Sequence, residues 1–476
     1  MDKLAIKYSF LIAGSAIALI FGYFAYSRPA YFTNQTYLAG LLFLEILAAA
    51  VWSYRRTFFA LLSVTFLFAG VNLPVGSSWS TARWIVLGMG ALVGIVITLK
   101  EGRYQFGGLH LLAFFSVLAA FTSAAVSHHT FVSSLKVLSL LLLFLYAATG
   151  ARLAVVNRER RFFAGLLTGC ELLVAAIAMF YFLGREVMGN PNSLGAVMGV
   201  VAAPLLLWGT MLPQEPFAHR RRVLLCVVSM CLAYTSHARA GILGALVSCA
   251  LLCLATRKYA LLLRGVGVLA VVVATGAILN PEAFSSTIAS FTSTVVYKEK
   301  DPALGLLGSR ETPWQETMDA IRNNFWFGTG FGTSDTRSDA IDSHDTVASS
   351  TPATTEHGSS YLEIVSWVGV LGTVPFLLLL VVLLRKACSV ILWTYRTAAV
   401  YNPALPLALL VIGGLIHAAF EDWLFAPGYY LCVFYWSIAF IFFDQAALLP
   451  AGDAKSSSAR RVVPMPRDFG VVAPSR

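Results

Sequence analysis

Two arginines and one histidine, far apart in the chain, have side chains suited to binding and processing a phosphorylated substrate. They are Arg239, Arg310 and His357. A guanidinium group keeps its charge at every physiological pH and can pair with two phosphate oxygens at once. An imidazole can take up a proton near neutral pH. Together these groups suit a polyanion whose negative charge grows during a reaction.

Each of the three residues also has a purely structural interpretation. Arg239, at a helix end, could extend its guanidinium to the lipid headgroups. Arg310 could be an ordinary loop arginine, and His357 an exposed polar residue before a helix. The functional interpretation gains weight because Arg239 lies in a very short turn, and because all three are predicted on the same side of the molecule.

Four short sequence patterns contain or adjoin these residues. They are 189–193 (GNPNS), 236–241 (SHARAG), Ser309-Arg310 with the later Gly-x-Gly-x-Gly of 328–332, and 357–363 (HGSSYLE). Asn-Pro-Asn is typical of a turn and a helix N-cap. The glycine spacing resembles a fragment of a phosphate-binding loop. No strand precedes these glycines, so the sequence predicts a turn there.

The amino-acid composition indicates a membrane protein. Of the 476 residues, 58% are hydrophobic and 12% are charged, whereas soluble proteins carry about 25% charged residues. We therefore predict an all-α fold, a polytopic transmembrane helical bundle of about 12–14 spans with one large loop containing short helices. The formal charge of +10 is scattered between apolar runs and forms no basic face, which argues against nucleic-acid binding. The seven cysteines lie in or beside apolar segments, so we predict neither disulfides nor a zinc site.

Apolar stretches long enough, or nearly long enough, to cross a bilayer recur along the chain. They lie at 9–26, 36–53, 57–75, 84–99, 105–126, 130–151, 161–183, 193–212, 222–236, 239–256, 258–279, 361–385, 403–420 and 427–445. The first is predicted to be an uncleaved helix, because it is too long for a signal peptide and further spans follow at once.

The distribution of basic residues predicts the orientation. With a cytoplasmic N-terminus, most of the 34 lysines and arginines fall on the cytoplasmic side. The four patterns then share the opposite side. We therefore divide the chain into five segments. N-terminal transmembrane helices occupy 1–184, and further helices with Asn-Pro-Asn and Arg239 occupy 185–279. A large outer loop follows at 280–360, then C-terminal helices at 361–446 and a disordered cytoplasmic tail at 447–476.

The outer loop is the only long polar segment between spans. Residues 313–327 predict an amphipathic helix lying along the membrane surface, with Trp314, Met318, Ile321, Phe325 and Trp326 near one face. Residues 333–355 have the composition of a disordered segment. The aspartates at 335, 339, 342 and 345 are spaced irregularly, so no metal site is predicted.

The order of the four patterns resembles the O-antigen ligase and polymerase superfamily of bacterial polyprenyl-diphosphate-glycan transferases. The resemblance runs from Asn-Pro-Asn through Ser-x-x-Arg, Arg-x-x-x-Trp and Gly-x-Gly-x-Gly to His-x-x-x-Tyr-Leu-Glu, over about 185–440. It implies a metal-independent, inverting glycosyltransferase of the GT-C-like type, without cofactors, in the bacterial inner membrane. Its active site would face the periplasm, its donor would be an undecaprenyl-diphosphate-linked glycan, and its acceptor the lipid A core. A glycan polymerase or a protein O-oligosaccharyltransferase are the alternatives within the superfamily.

The resemblance also suggests roles for single residues. Arg239 and Arg310 would bind the diphosphate, and His357 would orient or deprotonate the acceptor hydroxyl. Further candidates for substrate binding are Asn192, Glu363, Tyr361, Lys136 and Trp314. Lys136 is included because charges inside a span usually have a function.

Two interpretations from other classes compete with the transferase. A transporter of lipid-linked glycans would be expected to show internal repeats and polar residues near the midplane. No convincing repeat is present, and the candidate residues gather on one side. A scaffold of an envelope-polymer assembly would not require these arginine and histidine positions.

Overall fold

The computed structural model describes most of the chain. The described residues are 23, 27, 54–68, 70, 76–101, 106–184, 188, 191–282, 285–286, 289, 308–333 and 357–448. The span predicted at 36–53 and the segment with the four aspartates fall outside them, as do all but residue 23 of the span predicted at 9–26 and all but residues 447–448 of the predicted disordered tail.

Helices make up nearly all of the described chain, and they define the labels used below. They are α1 (54–68), α2 (Gly76–Glu101), α3 (Gly108–Val126), α4 (Thr130–Tyr146), α5 (Glu159–Phe182), α6 (Pro191–Gly195), α7 (Ala203–Met211), α8 (Pro216–Thr235), α9 (Arg239–Ala255), α10 (Tyr259–Leu279), α11 (Gly308–Asn323), α12 (Ser360–Thr397), α13 (Ala404–Ala418) and α14 (Tyr430–Ala447). Two π-helical segments, Ala147–Ala151 after α4 and Ala196–Ala202 between α6 and α7, continue these helices.

Long apolar helices confirm the predicted fold class. Within the described residues, seven are long and apolar enough to cross a membrane, and α9 and α13 are shorter apolar helices. Large hydrophobic side chains such as Leu99, Phe131 and Phe182 are more than 70% exposed on the outside of the bundle. Such a surface is stable in lipid and would be unstable in water. The chain is therefore an all-α, multi-pass membrane protein.

Helix α13 lies at the centre of the bundle. Nearly all of its residues are buried, and it packs against α9, α12 and α14. It has 15 residues, fewer than the roughly 20 that a lipid-exposed span needs. Protein surrounds α13, so its length need not match the bilayer.

Small residues allow α9 to approach the segment after α6 closely. A methyl group added to Gly199 would lie 2.2 Å from the carbonyl oxygen of Gly241, and one on Gly241 would lie 2.4 Å from that of Gly195. Only glycine permits this backbone contact. The contact fixes the Asn-Pro-Asn helix against the turn that precedes Arg239.

Helix α11 corrects the prediction for the outer loop. It begins at Gly308 and ends at Asn323, whereas the sequence predicted 313–327. The predicted single apolar face is also wrong. Ile321 is buried while Met318 is exposed, and Phe325 and Trp326 follow the helix and are exposed. The apolar side chains near 325 predict a continuation of the helix, but the chain turns there toward Gly328.

Candidate functional site

A break in α12 provides the platform on which the outer loop is fixed. Gly369 has non-helical backbone angles, φ 68° and ψ 177°, so α12 is interrupted within its membrane-spanning length. The amide of Val370, just after the break, donates to the carbonyl of Phe325 at 2.9 Å. A methyl group on Gly369 would lie 2.3 Å from the carbonyl oxygen of Trp326. The break therefore accommodates the chain that follows α11.

The segment Gly328–Gly332, here called the glycine loop, lies on this platform. All three of its glycines have positive φ, which confirms the predicted turn. The amides of Thr329 and Gly330 donate to the carbonyls of Ser366 and Trp367 at 3.0 and 3.1 Å. These carbonyls have no helical partner at the break, so the loop supplies the hydrogen bonds that α12 lacks.

Side chains of α4 and of the turn before it hold the other side of the glycine loop. The hydroxyl of Ser127 donates to the carbonyl of Thr329 at 2.8 Å, and that of Ser133 to the carbonyl of Phe331 at 3.0 Å. Lys136 donates from Nζ to the carbonyl of Gly332 at 2.5 Å. Lys136, a sequence candidate for substrate binding, thus contacts the loop that borders the site.

Arg310 is buried at the start of α11 and forms an ion pair with Glu421. The loop after α13 carries Glu421, and Ser360 at the start of α12 fixes that loop. The amide and hydroxyl of Ser360 donate to the Glu421 carbonyl at 3.1 and 2.7 Å. A buried guanidinium held by a half-buried carboxylate has a defined orientation. Arg310 therefore points into the bundle end, away from the surrounding solvent.

His357 is buried and is fixed at three points, and Arg310 lies against the next residue, Gly358. Its amide donates to Oδ2 of Asp422 at 3.0 Å, and its ring lies edge-on to Trp367 at 6.0 Å between centroids. Its Nδ1 lies 3.0 Å from Oγ1 of Thr317, whose hydroxyl donates to the carbonyl of Pro313 at 2.6 Å. Because that carbonyl can only accept, the hydroxyl proton is already used, and Nδ1–H must be the donor to Thr317. Nε2 is then the acceptor nitrogen of the ring.

The surroundings of His357 keep its imidazole neutral. Burial, together with the positive charge of Lys136, lowers its pKa from 6.5 to about 4. At pH 7 the ring therefore carries no charge and can accept a proton at Nε2.

Arg239 and the Asn-Pro-Asn helix reach the same end of the bundle. Arg239 is the first residue of α9, and the charges of both Arg310 and Glu421 act on its guanidinium. Asn192 is half-buried in α6, one turn before Gly195, whose added methyl group would lie 2.2 Å from Cβ of Ala238. The three candidate catalytic residues are therefore brought together, with Asn192 on the neighbouring helix.

The other predicted binding residues have well-defined contacts. Trp314 donates from Nε1 to the carbonyl of Gly358 at 3.2 Å, next to His357. Tyr361 donates its hydroxyl to the carbonyl of Leu415, so this group points toward α13. Glu363 is buried, and its Oε2 has no hydrogen-bond partner among the described residues. Their roles in substrate binding stay predictions.

The comparison with known families bears on this site. Residues 224–377 match the family model described as O-antigen ligase. This segment is similar to that family and is called the O-antigen ligase domain below. It contains Arg239, Arg310 and His357, and it confirms the resemblance to the O-antigen ligase superfamily. No curated protein matches the chain.

Residues outside the O-antigen ligase domain complete its site, and sequence analysis missed them. Glu421 and Asp422 contact Arg310 and His357 from the loop between α13 and α14. Thr317 lies inside the domain and orients the histidine. The only sequence signal was an acidic pair between two predicted spans, on the same outer side as the other candidates.

The described part of the site in the O-antigen ligase domain contains no group of side chains suited to binding a metal ion. In the described ranges, no three His, Cys, Asp or Glu side chains gather as metal ligands would. Arg310, Arg239 and a neutral His357 instead combine two cations with a proton acceptor, an arrangement suited to a substrate that carries phosphate groups.

Proposed function

We propose that the chain transfers a glycan from undecaprenyl diphosphate to a hydroxyl of the lipid A core, on the periplasmic face of the inner membrane. One observation carries the proposal: at one end of the bundle, buried Arg310 lies against Gly358, the residue that follows buried, neutral His357. The O-antigen ligase domain supports the class of reaction.

The arginines would act on the leaving group. As the bond between the anomeric carbon and the diphosphate oxygen breaks, its electron pair stays on the diphosphate. Arg239 adds a second guanidinium group near the Arg310–Glu421 pair, so two arginines lie near the place proposed for the phosphate oxygens. Glu421 fixes the direction of Arg310 before the substrate arrives. Fixed charges of this kind stabilise a transition state without having to reorganise.

His357 would act on the acceptor. The acceptor oxygen attacks the anomeric carbon on the side opposite the diphosphate, so the new glycosidic bond has inverted configuration. The hydroxyl proton passes to Nε2 of His357. With a pKa of about 4 the imidazole is a weak base, so the proton moves late, once attack has made the hydroxyl acidic. None of these steps requires a metal or a nucleotide.

The same chemistry would serve other acceptors. If the acceptor is a growing glycan, the protein is a polymerase. If the acceptor is a protein hydroxyl, it is an O-oligosaccharyltransferase. A transporter of lipid-linked glycans is less well supported, because the candidate residues meet at one end of the bundle and not midway across it.

A transfer assay tests the proposal. The purified protein in nanodiscs receives an undecaprenyl-diphosphate glycan and a lipid A-core acceptor, with EDTA and without nucleotide. We expect product from the wild type and from His219→Ala, an exposed histidine at the opposite end of the bundle, and a loss of about 10²–10⁴-fold in rate for His357→Ala.

The outcomes separate the alternatives. Normal transfer by His357→Ala would refute the assigned role of the histidine. Product that forms only when lipid-linked repeats replace the lipid A core would favour the polymerase. ATP-independent movement of the donor across the bilayer without any new glycosidic bond would favour the transporter.

A further inference from the structure

A second polar cluster lies at the end of the bundle opposite the O-antigen ligase site. Four arginines, Arg55, Arg56, Arg158 and Arg161, line one cavity of about 490 Å³. Arg55 and Arg56 begin α1, and Arg158 and Arg161 begin α5. Two helix starts therefore bring four positive charges to one place.

This cluster has less negative charge than it needs for neutrality. Arg55 forms an ion pair with Glu101. Among the described residues, Arg56, Arg158 and Arg161 form no salt bridge, and Nη1 of Arg158 is buried without a hydrogen-bond partner. The like charges of Arg56, Arg161 and Arg55 all act on Arg158. Basic residues that only set membrane topology can spread apart in solvent, whereas these converge on one cavity and leave a buried donor unused.

The rest of the cavity is an apolar groove between α1, α5 and α14. On α1 it extends from Arg55 to Leu67, about 18 Å at 1.5 Å per residue. Its far end is lined by Tyr430, whose hydroxyl donates to the carbonyl of Ser193. The groove has the length of a fatty acyl chain and a cationic group at one end.

Two glycines of α5 leave the floor of the groove open. Gly165 and Gly169 line it, and a methyl group added to either would have no atom within 4 Å. Among the described residues, no side chain fills the space over these glycines.

We propose that this groove binds an anionic phospholipid, with its phosphate among Arg56, Arg158 and Arg161 and an acyl chain along α1 and α5. Charge complementarity selects this occupant. The isoprenoid donor would need its diphosphate at the opposite end, beside Arg310, and would leave the arginine cluster without an anion. A zwitterionic lipid would add a positive headgroup to the cluster. Basic pockets between transmembrane helices bind anionic headgroups in this way.

Native mass spectrometry of the full chain tests the site. The probes are phosphatidylglycerol and phosphatidylethanolamine with identical acyl chains. We expect wild type to retain phosphatidylglycerol preferentially. Combined Arg56→Gln, Arg158→Gln and Arg161→Gln should lose that preference, by about fivefold for each arginine removed. The matched control, Arg385→Gln with Lys386→Gln and Arg396→Gln, removes the same charge from outside the groove and should retain it.

A steric variant provides a second test if the arginine variant fails to fold. Gly169→Leu should reduce retention of phosphatidylglycerol, because the new side chain occupies the groove. Gly265→Leu, at another open glycine on α10, should leave it unchanged. Equal retention of the two lipids by wild type, equal losses in a variant and its control, or displacement of the bound lipid by undecaprenyl diphosphate would overturn the proposal.

Discussion

At the scale of single residues, the candidate site is organised before any substrate binds. Thr317 fixes the ring of His357 so that Nε2 is the acceptor, and Glu421 fixes the guanidinium of Arg310. Both partners are polar groups in a mostly buried setting, where orientation is strongly enforced. The site thus has a proton acceptor and a cation in set positions.

Arg310→Lys tests whether the planar guanidinium is needed. Lysine keeps the positive charge but cannot form the paired hydrogen bonds of arginine. We expect the rate of glycan transfer to fall about 10²–10³-fold, while the protein accumulates in the membrane as the wild type does. Arg322→Lys on the same helix, where the side chain is exposed, is the control. A wild-type rate for Arg310→Lys would contradict the proposed contact with the diphosphate.

The pKa of His357 gives the transfer reaction a distinctive pH dependence. The imidazole must be neutral to accept a proton, so kcat/KM should fall only as the pH drops toward about 4, well below the ordinary pKa near 6.5. Lys136→Met removes a positive charge that opposes protonation, so it should raise the pKa and move the acid limb to higher pH. Lys136→Arg keeps the charge and should leave the limb in place. An acid limb that is identical in all three proteins would show that His357 does not limit the profile.

Site residues with distinctive side-chain chemistry could be predicted from the sequence. Residues that only orient them, such as Glu421, could not. Arg239, Arg310 and His357 stand out because of their residue types and their order in the chain. Glu421 lies 111 residues after Arg310, and neither its residue type nor its spacing indicates that pairing. Only the fold brings the loop after α13 to the start of α11.

At the scale of elements, the site depends on an interrupted helix. Backbone amides of the glycine loop donate hydrogen bonds to the carbonyls that the break in α12 leaves without helical partners. From sequence, the segment after Ser360 is an unbroken apolar run, so a single continuous helix was the natural prediction. One positive φ at Gly369 changes the geometry without changing the composition.

Gly369→Ala tests the fit between the loop and the broken helix. A positive φ costs a non-glycine residue about 1–2 kcal/mol, and the added methyl group would lie 2.3 Å from the carbonyl oxygen of Trp326. We expect a lower Tm and faster proteolysis of the outer loop in detergent. Gly265→Ala, where the methyl group meets no atom of the described residues within 4 Å, should neither lower the Tm nor speed proteolysis. A wild-type Tm for Gly369→Ala would show that α12 can continue through this position.

At the scale of the whole molecule, composition was enough to predict the class of fold. Hydrophobicity and the shortage of charge indicated a polytopic helical bundle, and the long apolar helices confirm it. The central position of α13 could not be predicted, because a buried helix and a lipid-facing helix have the same apolar composition. The assignment of the two ends to periplasm and cytoplasm stays a prediction from the basic residues.

At the end of the bundle opposite the candidate site, an ion pair joins two helices that are distant in sequence. Arg152, after α4, is buried and donates from Nε and Nη2 to the two carboxylate oxygens of Asp444 on α14, at 2.5 and 2.9 Å. Asp444→Asn would remove the negative charge that is paired with the buried guanidinium of Arg152. We expect the free energy of unfolding to fall by about 3–5 kcal/mol, measured by denaturant titration in micelles.

A control variant shows whether the loss of stability is specific to the buried ion pair. Asp319→Asn breaks an exposed pair with Arg322 and should change stability by less than about 1 kcal/mol. The folded fraction of Asp444→Asn should transfer glycan at the wild-type rate, because the pair is far from the site. Equal stability of Asp444→Asn and wild type would mean that Arg152 finds another partner.

The two ends of the segment between Thr333 and His357 are both attached to the helical framework. Hydrogen bonds between Thr329 and Thr333 secure the first end, and Asp422 and Thr317 secure the second. Described residues of the framework therefore secure each end. A change in the sequence between the two ends should leave the cation and the proton acceptor in position, so the chemistry of the site can be kept while that sequence varies.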